Sequence, residues 1–132
     1  MTIFVDTSAL IAVADASERH HPEAQSFWAD LVSDGVSLLT TNYVLVEAMC
    51  LLQRRLGLEA LVAFFEDVVP LFRVEWMSAE RHQGAVDDLT SLRRRDVGIV
   101  DCASFQAMRS LGLSQVFAFD RHFAEQGFQV VP

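Results

Sequence analysis

Four acidic residues stand in apolar company, where a surface carboxylate is not expected. Asp6 follows Ile3-Phe4-Val5 and precedes Thr7-Ser8-Ala9-Leu10-Ile11. Glu47 is the only charge between Tyr43 and Leu52, Asp101 the only charge from Val97 to Met108, and Asp120 ends Val116-Phe117-Ala118-Phe119. An ionised carboxylate buried without a partner costs several kcal/mol. Lysine is absent from the chain, and no arginine lies within these four runs. Compensation must come from distant arginines, from backbone amides at helix starts, or from a divalent cation. Taken singly, Asp6 and Asp120 are equally well explained as helix caps. Glu47 and Asp101 fall within apolar helical stretches where nothing calls for a cap. Glu59 and Glu66, seven residues apart, share one helical face and read as solvated.

The elements that must position these acids alternate between short apolar runs and helical patterns. Residues 2–5, 36–40, 71–76 and 115–119 read as strands, and 128–131 as a last edge strand. Helices are expected over 9–14 (capped by Thr7 or Ser8), 22–32, 42–56 (capped by Asn42), 58–69, from Ser78 towards Arg93, and over 99–111. Pro70 and Gly112 act as stops. Asp96, two residues before Gly98, reads as a turn residue. Strands of this length separated by helices pair in parallel, so the expected class is α/β, a three-layer α/β/α sandwich with a short parallel sheet. In such sheets the site lies beyond the carboxyl ends of the strands, and Asp6 and Asp120 sit at two of them. No linker or repeat interrupts residues 1–132, which read as a single domain.

Composition narrows the chemistry further. All ten basic residues are arginines, which excludes a Walker-type phosphate loop, a Schiff-base lysine and a lysine general base. A formal net charge of −8 argues against a nucleic-acid partner unless bound metal changes the local sign. No apolar run reaches the ~18 residues needed to span a membrane. The start of the chain lacks the basic region of a signal peptide, so the expected location is the cytoplasm. Cys50 and Cys102 lack metal-ligand spacing and are expected to be buried, reduced thiols.

Taken together, these segments resemble the PIN domain family, in particular the VapC-type ribonuclease toxins. The likeness covers essentially the whole chain. It runs through Val5-Asp6-Thr7-Ser8-Ala9-Leu10, Thr41-Asn42-Tyr43-Val44-Leu45-Val46-Glu47, Val100-Asp101-Cys102-Ala103-Ser104-Phe105 and Phe119-Asp120-Arg121-His122-Phe123. The resemblance implies that Asp6, Glu47, Asp101 and Asp120 converge at the carboxyl edge of the sheet and bind Mg²⁺ or Mn²⁺. Asp6 and Asp101 are the expected central ligands, with Glu47 and Asp120 ligating directly or through water. An all-oxygen donor set suits such hard cations, whereas zinc prefers His and Cys. The implied reaction is hydrolysis of RNA phosphodiester bonds, leaving a 5′-phosphate and a 3′-hydroxyl. Many members carry Thr or Ser two residues before the last acid, where this chain has Ala118; Ser104 or Thr7 is the expected replacement hydroxyl.

Arg93, Arg94 and Arg95 form the one dense basic run, and Arg121 adjoins Asp120; as a group they are expected to hold RNA phosphates. The competing account is a solvated helix end whose arginines face the carbonyl dipole. His20 and His21 read as surface residues, and His122 as a lesser candidate for the site. Trp28, Trp76 and the phenylalanines read as core. The apolar residues of the middle helices, among them Leu51, Leu56 and Phe65, exceed what one small core can bury. The excess suits a homodimer or a groove for a cognate antitoxin, which the resemblance also implies. Other classes fare worse. A phospho-acceptor receiver needs a lysine, and a haloacid-dehalogenase-type phosphatase needs an aspartate at position 8, which is Ser. A housekeeping RNA-processing nuclease and a metal-free interaction module remain as alternatives.

Overall fold

The structure is a computed structural model that describes residues 1–132. The elements run β1 (Thr2–Val5), α1 (Thr7–Ala14), α2 (His21–Ser33), β2 (Ser37–Thr41), α3 (Asn42–Leu56) and α4 (Leu58–Ala63). They continue with β3 (Phe72–Glu75), α5 (Ala79–Leu92), α6 (Ile99–Ser110), β4 (Gln115–Phe117), α7 (His122–Glu125) and β5 (Gln129–Val131). All five strands are parallel, in the order β3-β2-β1-β4-β5, and the helices complete a three-layer α/β/α sandwich. The core is centred on the three inner strands, where Phe4, Leu39, Val116 and Phe117 are buried. The edge strands β3 and β5 contain no fully buried residue.

This order locates the site. From β1 the chain steps outward through β2 and β3, then returns to place β4 on the other side of β1. The reversal opens a crevice beyond the carboxyl ends of β1 and β4, the usual ligand position in an open parallel sheet. The Asp6 N–H carries the ladder one step past β1 by donating to the Phe117 carbonyl at 3.0 Å. Thr40 of β2 donates its hydroxyl to the Val5 carbonyl at 2.8 Å, so the end of β1 is pinned from both sides.

Several local expectations are corrected. The cap of α1 is Asp6, not Thr7 or Ser8. The helix follows β1 directly, so the one residue left in extended backbone geometry takes the cap position. The cap of α3 is likewise Thr41, whose Oγ1 accepts from the Val44 N–H at 3.2 Å. Asn42 instead accepts from the Met77 N–H at 2.8 Å, tying α3 to the connection after β3. The helix expected over 58–69 is regular only to Ala63; Phe64–Val68 widen into a π turn and Val69–Leu71 form a 3₁₀ turn. Pro70 has no N–H and its ring would meet the carbonyl four residues back, so the last turns cannot stay α-helical. The strand expected over 115–119 stops at Phe117 because the Phe119 N–H is diverted to a side chain, Ser8 Oγ, at 2.9 Å.

Burial brings further corrections. Cys102 is buried as expected, but Cys50 is exposed on the outer face of α3, one turn from exposed Val46. Trp76 is 71% exposed and Phe65 58% exposed, so neither is core. Trp76 lies just past the edge strand β3, with no further strand to cover it.

Candidate metal centre

Asp6 is placed by the strand-to-helix junction between β1 and α1. It is 4% exposed. Its Oδ2 accepts from the Ser8 N–H at 3.1 Å and from the Ser8 hydroxyl at 2.7 Å. The same hydroxyl accepts from the Phe119 N–H, so Ser8 links Asp6 to the segment that leads to Asp120. Burial pushes the Asp6 carboxyl up to about 7, and the charges of Asp101 and Asp120 push the same way against the Ser8 hydrogen bonds.

Asp101 lies in the first turn of α6 and accepts from the Gly98 N–H at 3.1 Å. It therefore does cap a helix, contrary to the expectation that nothing there needs capping. The reason is that α6 starts at Ile99, which makes Gly98 the cap residue and leaves its N–H to be satisfied. Burial raises the Asp101 carboxyl above the ordinary range, and Asp120 and Glu47 add to the rise while the Gly98 N–H and His122 oppose it. Glu47 is half-buried in the middle of α3, and Asp120 is half-buried between β4 and α7. Asp120 Oδ1 accepts from the His122 N–H at 2.9 Å.

These four acids come from four separate places in the chain and line one cleft of about 390 Å³. Glu18, His20, Arg55 and Phe119 line it as well. Arg55 is the only arginine in the lining, and it is already engaged with Glu18 and, at 3.4 Å, with Asp15. Five carboxylates thus face one neutralised guanidinium, and no other arginine lines the cleft to offset Asp6, Glu47, Asp101 and Asp120. Asp101, Asp120 and His122 also present ligand atoms within 4.8 Å of one another. The donor chemistry fits a divalent cation: oxygen-rich, negatively charged and partly buried. His122 completes its surroundings through Nε2, 3.1 Å from Asp96 Oδ2. Its Nδ1 lies 2.7 Å from Asp120 Oδ1, but out of line for a hydrogen bond. The contact with Asp96 raises the imidazole's affinity for a proton, after which the charges of Asp120 and Asp101 add to the effect.

The hydroxyl expectation is corrected. Thr7 Oγ1 and Ser104 Oγ are buried without hydrogen-bond partners, and Ser8 is the residue that touches an acid. An aspartate followed two residues later by serine at a helix start was the available signal. Arg93, Arg94, Arg95 and Arg121 do not line the cleft. Arg94 forms two bonds to Asp96, at 3.0 and 2.7 Å, and one to Glu125 at 2.8 Å, binding the 93–97 segment to α7. Arg121 is 3.6 Å from Glu125 and 3.9 Å from Asp96, and Arg93 ends α5 in left-handed geometry. His20, expected as a surface residue, is half-buried and lines the cleft from the α1–α2 connection, and Arg55, unmarked in the sequence, reaches it from the last turn of α3.

The PIN domain family pattern matches residues 3–129. The 23S rRNA-specific endonuclease VapC20 of Mycobacterium tuberculosis (strain CDC 1551 / Oshkosh) is 36% identical over 127 residues, covering 96% of this chain and 95% of the relative. The crystal structure of Mycobacterium tuberculosis VapC20, a sarcin–ricin loop cleaving toxin, superposes with a TM-score of 0.84 at 35% identity, over 96% of this chain and 95% of that one. DNA-bound VapBC from Salmonella typhimurium shares the fold, with a TM-score of 0.70 at 18% identity over 99% and 98% of the two chains. A four-carboxylate cleft at the switch point of a five-stranded parallel sheet, and a family match spanning nearly every residue, agree: this chain belongs to the PIN domain family.

Proposed function

We propose that this chain is a metal-dependent endoribonuclease, the toxin half of a toxin–antitoxin pair, and that residues 1–132 act as one PIN domain. The observation that carries the reading is the convergence of Asp6, Glu47, Asp101 and Asp120 on one cleft with no free arginine in its lining to balance them. Asp6 and Asp101, the two acids shifted upward by burial, are the central ligands for Mg²⁺ or Mn²⁺. Glu47 and Asp120 complete the set directly or through water. When bound, the cation polarises the phosphoryl oxygen and supplies hydroxide near neutral pH.

The chain's own residues supply position. Ser8 fixes the Asp6 carboxylate with two hydrogen bonds, and the Gly98 N–H fixes Asp101, so both acids are oriented before any ligand arrives. Asp120 is held by the His122 N–H, and Asp96 holds the His122 ring. The similarity to VapC20 makes a ribosomal hairpin the first substrate to test. No helix is long and apolar enough to cross a membrane, in keeping with action in the cytoplasm. The exposed apolar residues Val46, Phe65 and Trp76 are surface for the expected homodimer or antitoxin.

The test is a gel assay on a hairpin RNA with the sarcin–ricin loop sequence, run with Mn²⁺ or with EDTA, beside Asp101→Asn. Cleavage that needs metal and is lost in Asp101→Asn is expected. Cleavage that persists in EDTA would overturn the metal reading, and no cleavage with Mn²⁺ would overturn the nuclease reading for this substrate.

A further inference from the structure

The α1–α2 connection, residues 15–20, is more tightly built than a surface loop requires. Asp15 Oδ1 accepts from the Ser17 N–H at 2.9 Å and from the Ser17 hydroxyl at 2.7 Å. Backbone bonds join Glu18 to Asp15 and His21 to Glu18, each at 3.0 Å. Arg55 reaches across from α3 to both Asp15 and Glu18, and His21 Nδ1 contacts the Ala12 carbonyl at 2.7 Å. The result of this bracing is the placement of one ring. His20 lies flat on Phe119, with centroids 4.5 Å apart and planes within 8°. Phe119 is fixed in turn, by the edge of Phe117 against its ring and by its N–H on Ser8 Oγ, which also holds Asp6.

Both rings line the cleft, and the His20 side chain is 39% exposed, with its Nδ1 3.7 Å from Glu23 Oε2. We propose that the His20–Phe119 stack is a nucleobase platform, seating the base of a nucleotide next to the scissile phosphate. The inference rests on the nuclease reading above. A held, partly exposed aromatic plane beside a carboxylate site offers what a single-stranded base needs, since every base has a π face to stack. The platform also offsets a deficiency of this cleft, whose lining has no free arginine for phosphates. His20 is accordingly a substrate-positioning residue and takes no part in bond cleavage.

The test compares His20→Ala and His20→Phe with the wild-type protein on the same hairpin RNA in Mn²⁺. The expected result for His20→Ala is a KM higher by about tenfold, the size of one lost base–aromatic stack, with kcat within about twofold. His20→Phe keeps a flat ring on Phe119 and should restore KM. In an Asp101→Asn background, hairpin carrying 2-aminopurine in its loop should lose fluorescence on binding, and His20→Ala should abolish that quenching. Unchanged KM and quenching in His20→Ala, with wild-type cleavage intact, would overturn the platform and leave the nuclease reading standing. Equal impairment of His20→Ala and His20→Phe would also overturn it, because the imidazole's polar atoms would then be what matters. Absence of metal-dependent cleavage by the wild-type protein would overturn the nuclease reading for this substrate and the platform with it.

Discussion

Two charged clusters lie a few residues apart at the carboxyl edge of the sheet, and they behave in opposite ways. In the cleft, Asp6 and Asp101 are partly or wholly buried among other acids, and both carboxyls are pushed above their ordinary range. Around Arg94, the acids Asp96 and Glu125 are bonded to guanidinium in the open, and both are pulled below it. The residue types are the same; the balance of charge and the access of water differ. A cluster whose charges cancel needs nothing further. A cluster of like charges held together by the fold takes up protons or a ligand of opposite sign. Arg94, one member of the arginine run expected to meet nucleic acid, belongs to the first kind.

The contrast gives its largest test in Asp6→Asn. Removing one central carboxylate should cost on the order of 10³-fold in kcat with Mn²⁺, measured on the hairpin RNA, while circular dichroism stays that of a folded protein. Near wild-type turnover would show that Asp6 is no ligand. Ser8→Ala comes next. It strips the Asp6 carboxylate of the Ser8 hydroxyl and leaves the Phe119 N–H without a partner, and activity should fall by roughly 10–100-fold, as for residues that orient a ligand. An unchanged rate would make Ser8 a helix-start residue only.

The pH dependence follows from the same burial. The Asp6 carboxyl is raised from 3.8 to about 7 on folding, so the folded protein holds a proton there that the unfolded chain releases. Its contribution to stability is fully present below pH 3.8 and is lost as pH rises through 7. Thermal melting of the metal-free protein should therefore show Asp6→Asn gaining on wild type from pH 4 to pH 8. A constant difference across that range would contradict the shift. Metal binding needs the ionised carboxylate, so Mn²⁺ should raise the melting temperature more at pH 8 than at pH 6.

The smallest effect is expected on the other side of the comparison. Arg94→Ala opens the exposed bracket between the 93–97 segment and α7. Exposed ion pairs contribute little, so kcat should stay within about twofold and the melting temperature should drop only slightly. A KM increase for RNA as large as that of His20→Ala would return the arginine run to the substrate path.

Much of this was legible in the chain itself. The apolar runs read at 2–5, 36–40 and 71–76 and the helical stretches between them specify a parallel α/β sheet, because hydrophobic period and turn residues act locally. Asp6, Glu47, Asp101 and Asp120 stood out for the same reason: a lone charge in an apolar run is visible without coordinates. What the sequence alone determined was the class of fold, the acids and the kind of ion they suit. Tertiary structure decided which charges remain unbalanced. Arg94 finds Asp96 nearby but Glu125 only through folding, and Arg55 meets Asp15 and Glu18 from a helix 40 and 37 residues further along the chain. The same holds for Ser8 on the Phe119 N–H, at a separation of 111 residues, and for the ring of His20 on Phe119. Burial and long-range pairing are properties of the packed molecule, and they separate a charge that folding neutralises from one it leaves for a ligand.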